Sequence, residues 1–148
     1  MPATPEAIAQ AQVAASAADD KLATDIVAID VSEHLALTDI FVIASAPTER
    51  QIGAIVDEIE EKMREQGRKP LRREGEKQGT WILLDFGDII AHVMTAEDRM
   101  YYQLERLWKD CPDVPLELPE HGETGSEPGA SADEAALDAE GADGLWRR

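Results

Sequence analysis

Residues 81–108, WILLDFGDIIAHVMTAEDRMYYQLERLW, constrain the fold more than any other stretch of the chain. Two apolar runs of strand length, 81–86 and 89–94, flank Gly87-Asp88, a Gly-first pair of the kind that closes a hairpin. Thr95 follows as an N-cap, and Glu97 and Asp98 place acids in the first helical turn. A hairpin that runs straight into a capped helix must belong to a sheet with a helix laid against it. Trp81, Asp85, Asp88, His92, Arg99, Tyr101, Tyr102 and Trp108 are set into this apolar frame, a combination that folding alone does not require.

The upstream pattern completes the architecture. Residues 5–22 predict a helix, with Thr4 as cap, Pro5 at the first position and a narrow stripe of Ile8, Ala11, Ala15, Ala18 and Leu22. Residues 25–31 read as a strand. Residues 39–44 read as a second, and Ile40, Phe41, Val42 and Ile43 are too continuously apolar for anything but the sheet interior. Residues 48–66 form a long helix, because Ile52, Ile55, Val56, Ile59 and Met63 make one stripe and Gly67 stands where the helix should end. A short basic strand near 70–73 and a polar loop at 74–79 lead to the hairpin. In the last helix Met100, Leu104, Leu107 and Trp108 form the expected packing face. The order α-β-β-α-β-β-β-α predicts an α/β fold, with a mixed sheet of about five strands flanked by helices and a parallel crossover through the long helix.

At 148 residues the chain predicts one domain, residues 1–111, followed by an acidic, disordered tail, residues 112–148. Composition changes at Pro112 to Pro, Gly, Ser, Ala and acids. The net charge is −17; the tail has ten acids against Arg147 and Arg148, which is −8 and leaves −9 on residues 1–111. Such a balance argues against a grip on phosphate backbones, which depends on Lys and Arg. It predicts little or no direct RNA contact. With one cysteine, Cys111, there is no disulfide framework, and a reducing compartment is expected. The N-terminus has neither the basic start nor the apolar run of a signal peptide, and no run is long enough to span a bilayer. The expected location is cytoplasmic, with no membrane partner.

Each chemical motif has a plainer reading beside it. Asp85 and Asp88 could hold a metal and a phosphate, but they lie three apart across a turn and need not converge. His92 on its strand is the pattern of a hydrogen-bonded structural histidine. His34, His121 and Cys111 have no metal-ligand spacing, so neither a metal site nor a cofactor is expected. The turn at 45–50 could hold an anion or simply cap a helix. Arg68, Lys69, Arg72 and Arg73 could touch RNA at the rim of an interface, or guard an edge strand. Trp81 shares a sheet face with Leu83 and Asp85, while Ile82, Leu84 and Phe86 share the other. An exposed Trp beside Asp and His has the composition of a protein-binding hot spot; the alternative is a core Trp under a helix.

The segment 81–108, together with ALTDIFVIAS at 36–45, Arg50-Gln51 and PLRREG at 70–75, resembles the ribosomal silencing factor family, also called Iojap-related. The resemblance covers roughly residues 5–110. It implies a nucleotidyltransferase-like arrangement and a non-enzymatic translation repressor. Such a protein would bind the large ribosomal subunit through ribosomal protein L14 and block joining of the small subunit. An active nucleotidyltransferase is the alternative, but such enzymes carry Gly-Ser at the strand-to-helix turn where this chain has Ala44-Ser-Ala-Pro47. A dimeric adaptor that self-associates through the hairpin face is the third reading. The expected contact residues are Trp81, Asp85, Asp88, His92, Met94 and Tyr102, with Arg99 and Glu105 organising them.

Overall fold

The structure is a computed structural model that describes residues 2–75 and 79–119. The expected tail beyond residue 119, and residues 76–78 of the polar loop, lie outside the described residues. A compact unit spans Met1–Glu117, and a second, Leu118–Arg148, falls almost wholly outside the description.

The first unit is a five-stranded mixed sheet with helices on both faces. In chain order it contains α1 (Pro5–Asp20), β1 (Thr24–Asp30), β2 (Ile40–Ala46), α2 (Glu49–Glu65), β3 (Arg72–Glu74), β4 (Trp81–Asp85), β5 (Ile89–Thr95), α3 (Ala96–Tyr102) and α4 (Leu104–Leu107). The strand order is β1-β2-β5-β4-β3. β2 and β5 are parallel, and the other neighbours are antiparallel. β2 and β3, joined through α2, therefore run in the same direction, but the β4–β5 hairpin is inserted between them. Every residue of β2 is buried, as its unbroken apolar run requires, and β5 is the central strand.

One face of the sheet is sealed by α1 and α2. Ile52, Ile55, Val56, Ile59 and Met63 of α2 are buried, and so are Ile82 and Leu84 of β4. α2 ends as its sequence demands. Gly67 has φ of 81°, its N–H donates to the Arg64 carbonyl at 2.8 Å, and the Arg68 N–H donates to the Met63 carbonyl at 2.9 Å. That is a Schellman stop, a conformation suited to glycine. α1 differs from its predicted stripe. Ala7, Ala11, Ala14, Ala15 and Ala18 are buried, while Ile8 and Leu22 are exposed. α1 packs against both α2 and the sheet, and the close approach is made mostly through alanine methyl groups.

The last helix is broken. Gln103 takes a left-handed conformation, φ 50° and ψ 52°, between α3 and α4. The break corrects the expected packing face: Leu104 is buried, but Leu107 is exposed. The chain then runs along the outer edge of β1. Asp30 N–H donates to the Pro112 carbonyl at 2.9 Å, and Val114 N–H donates to the Ala28 carbonyl at 2.8 Å. Val114 is buried there, and the Glu117 N–H donates to the Gln12 side chain of α1 at 2.9 Å. The compact unit thus extends to Glu117, beyond the change in composition at Pro112.

A partly open sheet face as the candidate partner-binding site

Strand register assembles the second face. Phe41, Ile43 and Ser45 of β2 pair with Ile90, His92 and Met94 of β5, which pair in turn with Asp85, Leu83 and Trp81 of β4. The buried part is a cluster of Ile29, Val31, Phe41, Ile43, Met94 and Leu104, and Trp81, Ile90 and Trp108 pack at its margin. α3 and α4 cover only the Met94 end, so Trp81, Leu83, Asp85 and Ile90 stay half-buried.

Trp81 is held from two sides. Its indole Nε1–H donates to His92 Nδ1 at 3.2 Å, and its ring lies 5.1 Å from that of Tyr102. Tyr102 is 52% exposed and meets Tyr101 edge-on at 4.9 Å. The result is an aromatic ridge with a fixed orientation and accessible edges.

His92 is buried, and its ring meets Phe41 edge-on at 4.8 Å. Burial disfavours the imidazolium and pushes the pKa down from 6.5 to about 4. Because Nδ1 accepts from Trp81, the neutral ring carries its proton on Nε2, which has no partner among the described residues. This histidine orients the tryptophan and does not titrate near neutral pH.

Arg99 and Glu105 form a buried ion pair at the base of the ridge. Nη2 donates to Oε2 at 2.7 Å, and Nε lies 3.3 Å from both carboxylate oxygens. Nη1 donates to Ser45 Oγ at 3.1 Å and to the Thr24 carbonyl at 3.5 Å. The break at Gln103 turns Glu105 back towards Arg99. The pair ties α3, α4, β1 and β2 together, and it sets where Tyr102 stands.

Two expected contact residues are not exposed on this open face. Met94 is fully buried, because α3 leaves the sheet directly above it. Asp88 sits in the hairpin turn, and its carboxylate accepts from Gln10 of α1 at 2.9 Å, on the side of the sealed face. Asp85 does belong to the open face. It accepts from the Gly87 N–H at 2.8 Å and pairs with Arg72 at 3.4 Å. The two aspartates therefore serve different partners. Leu83 and Ile90, which join Trp81 to Asp85, belong to the face as well, and strand alternation was the signal for them. Arg72 joined it through the β3–β4 register, which nothing local in the sequence marks.

The three arginines of the basic stretch face acids. Arg68 pairs with Glu6, Arg72 with Glu74 and Asp85, and Arg73 with Glu60.

The fold is a mixed α/β sheet with one face sealed and the other partly open and aromatic. The family model described as ribosomal silencing factor during starvation matches residues 4–142. Ribosomal silencing factor RsfS of Halalkalibacterium halodurans is 41% identical over 106 residues, which is 72% of this chain and 91% of that protein. The protein of the same name from Bacillus subtilis is 38% identical over 107 residues, 72% of this chain and 91% of its own. A crystal structure of a Chromobacterium violaceum protein superposes with a TM-score of 0.66 at 32% identity, covering 68% of this chain and 84% of that one. The chain belongs to the ribosomal silencing factor family.

Proposed function

We propose that this chain represses translation by docking its open sheet face on the large ribosomal subunit, through ribosomal protein L14, and obstructing the small subunit by bulk. The observation that carries the reading is the Trp81–Tyr102 ridge, two large aromatic rings 5.1 Å apart beside half-buried Leu83 and Ile90. Rigid aromatic anchors ringed by polar groups are the usual centre of a protein interface. The net charge of −17 favours a basic protein partner and would speed encounter with it. The guanidinium groups of Arg68, Arg72 and Arg73 already face acids, which supports little direct RNA contact. No chemistry is required of such a protein, and the bonds that Asp85 accepts from Gly87 and Asp88 accepts from Gln10 support a structural role for both. No helix among the described residues is long and apolar enough to cross a membrane, in keeping with work on cytoplasmic ribosomes.

The test is a binding titration on purified large subunits beside a thermal melt. Trp81→Ala should weaken binding by about 2 kcal/mol or more, roughly thirtyfold. It also removes the bond to His92, so Tyr102→Ala, at a half-exposed position, serves as the second variant. Both should weaken binding and relieve the block on subunit joining. Normal binding by a folded Tyr102→Ala together with normal binding by Trp81→Ala would show that the docking face lies elsewhere.

A further inference from the structure

Residues 96–110 contain neither glycine nor proline, and Met100, Leu104 and Leu107 have the spacing of one face of a single helix. The chain nevertheless breaks at Gln103, whose φ of 50° and ψ of 52° lie in the left-handed region. A residue with a Cβ adopts that region at a cost. The Gln103 side chain does not account for it. Its Oε1 accepts from Arg106, three residues on, at 2.9 Å in an exposed bond, and the break leaves Leu107 exposed. The compensation is remote.

Arg99 and Glu105 stand six residues apart. In an uninterrupted helix six residues make about one and two-thirds turns, so the two side chains would leave on different faces, roughly 9 Å apart along the axis. The left-handed residue folds the chain back, and Arg99 Nη2 then meets Glu105 Oε2 at 2.7 Å. Glu105 is 7% exposed, and a carboxylate buried to that extent requires such a contact. Arg99 in turn fastens α3 to the sheet, through Ser45 Oγ at 3.1 Å and the Thr24 carbonyl at 3.5 Å. The last residue of α3 is Tyr102, whose ring lies 5.1 Å from that of Trp81.

We propose that Gln103 is a positioning residue for the docking face: its left-handed backbone, acting through Glu105 and Arg99, fixes the seat of α3 and so holds Tyr102 against Trp81. The consequence for binding rests on the docking reading above; the geometry does not. A molecule in which residue 103 is helical loses the Glu105 contact and with it the ridge. Apparent affinity therefore scales with the fraction that is left-handed at this position. It responds to the backbone preference of residue 103 without any change in a contacting side chain.

The experiment uses the full chain, isotope-labelled, with three readouts: the Trp81–Tyr102 ring cross-peaks, the Arg99 Nε–H resonance and affinity for purified large subunits. Gln103→Val places a β-branched residue where φ is positive. It should lose the cross-peaks, shift the Arg99 resonance and bind about tenfold more weakly. Gln103→Gly, for which the conformation is free, should keep all three at wild-type values and bind at least as tightly. Retention by glycine marks a backbone effect, since glycine also lacks the side chain. Gln103→Thr, branched but polar, is the second variant should the valine chain not fold. A folded valine or threonine variant with wild-type cross-peaks and Arg99 resonance would overturn the positioning proposal, and so would loss of the cross-peaks in the glycine variant. Loss of the cross-peaks in the branched variants with unchanged affinity would instead overturn the docking reading, with the positioning of the ridge intact.

Discussion

Leu83 and Leu84 are neighbours on β4, and they face opposite ways. Leu84 is fully buried against the layer formed by α1 and α2. Leu83 is half-buried beside His92 and shares its face with Trp81 and Asp85. The sealed face consists mainly of aliphatic side chains and alanines beneath two long helices, with Gln10 of α1 bonded to Asp88 at its edge. The open face carries a tryptophan, a histidine, an aspartate and a buried ion pair beneath two short helices. One strand thus serves stability through its even positions and surface chemistry through its odd ones. The lesson is that Ser45, His92, Arg99 and Glu105, four of the buried polar residues, gather on the face that α3 and α4 leave partly uncovered, while Gln10 and Asp19 belong to α1.

The largest effect expected on the open face comes from its buried charges. Arg99→Met leaves Glu105 buried and unpaired, which should cost about 3–5 kcal/mol. Arg99→Met with Glu105→Leu should recover most of that loss, because an apolar pair of similar volume fills the same space. Urea denaturation of the two variants checks both points. A single variant that loses less than about 1 kcal/mol would mean that the pair does not anchor α3 and α4.

A matched pair on β4 sharpens the contrast between faces. Leu84→Ala should lose about 3 kcal/mol of stability through the cavity it leaves. Large-subunit binding by the folded fraction should be unchanged. Leu83→Ala should lose much less stability and weaken binding instead. Equal losses in stability would erase the distinction between the two faces.

The legible part of this fold was the part set by backbone periodicity. The unbroken run at Ile40–Ile43, the stripe of α2, the Gly87 turn and the Thr95 cap each follow from local chemistry, and each element forms where those residues stand. What was not legible depends on distant partners. The break at Gln103 is a left-handed residue with no glycine to announce it, and it exists because Glu105 turns back onto Arg99. The stripe of α1 kept Ala11, Ala15 and Ala18 but lost Ile8 and Leu22, because close packing against α2 and the sheet favours alanine. At the site, alternation placed Trp81, Leu83 and Asp85 on one face, and Arg99 and Glu105 form a buried ion pair beside it. The burial of Met94 was not legible, because nothing in its own strand reveals that α3 departs above it. The bond from Gln10 to Asp88 was not legible either, because the two residues lie in distant elements.

Acid should act on the open face through His92. Folded, the imidazole is neutral, with a pKa near 4; unfolded, it returns to about 6.5. The unfolded chain therefore binds the proton first, and stability from this residue falls as pH drops from about 6.5 towards 4. Between pH 7 and pH 5 the wild type should lose about 2 kcal/mol more than His92→Phe, which has nothing to protonate there. Parallel denaturant titrations at the two pH values measure the difference. Identical slopes would mean that His92 is hydrated and free to charge in the folded protein.

The smallest effect tests where the open face ends. Asp88 lies at the turn, and its carboxylate accepts from Gln10 on the opposite side of the sheet. Asp88→Ala should lose about 1 kcal/mol of stability, the net worth of an ordinary hydrogen bond at a half-buried site. Asp88→Asn keeps an oxygen that can accept from Gln10, and should lose less. Neither variant should change large-subunit binding, because the side chain is turned away from the ridge. Asp85→Asn is the counterpart: its side chain shares the face with Trp81, and loss of its charge should weaken binding and reduce the salt dependence of association. If Asp88→Ala, still folded, weakens binding as much as Asp85→Asn does, the contact surface wraps around the hairpin turn and the boundary drawn at Asp85 is wrong.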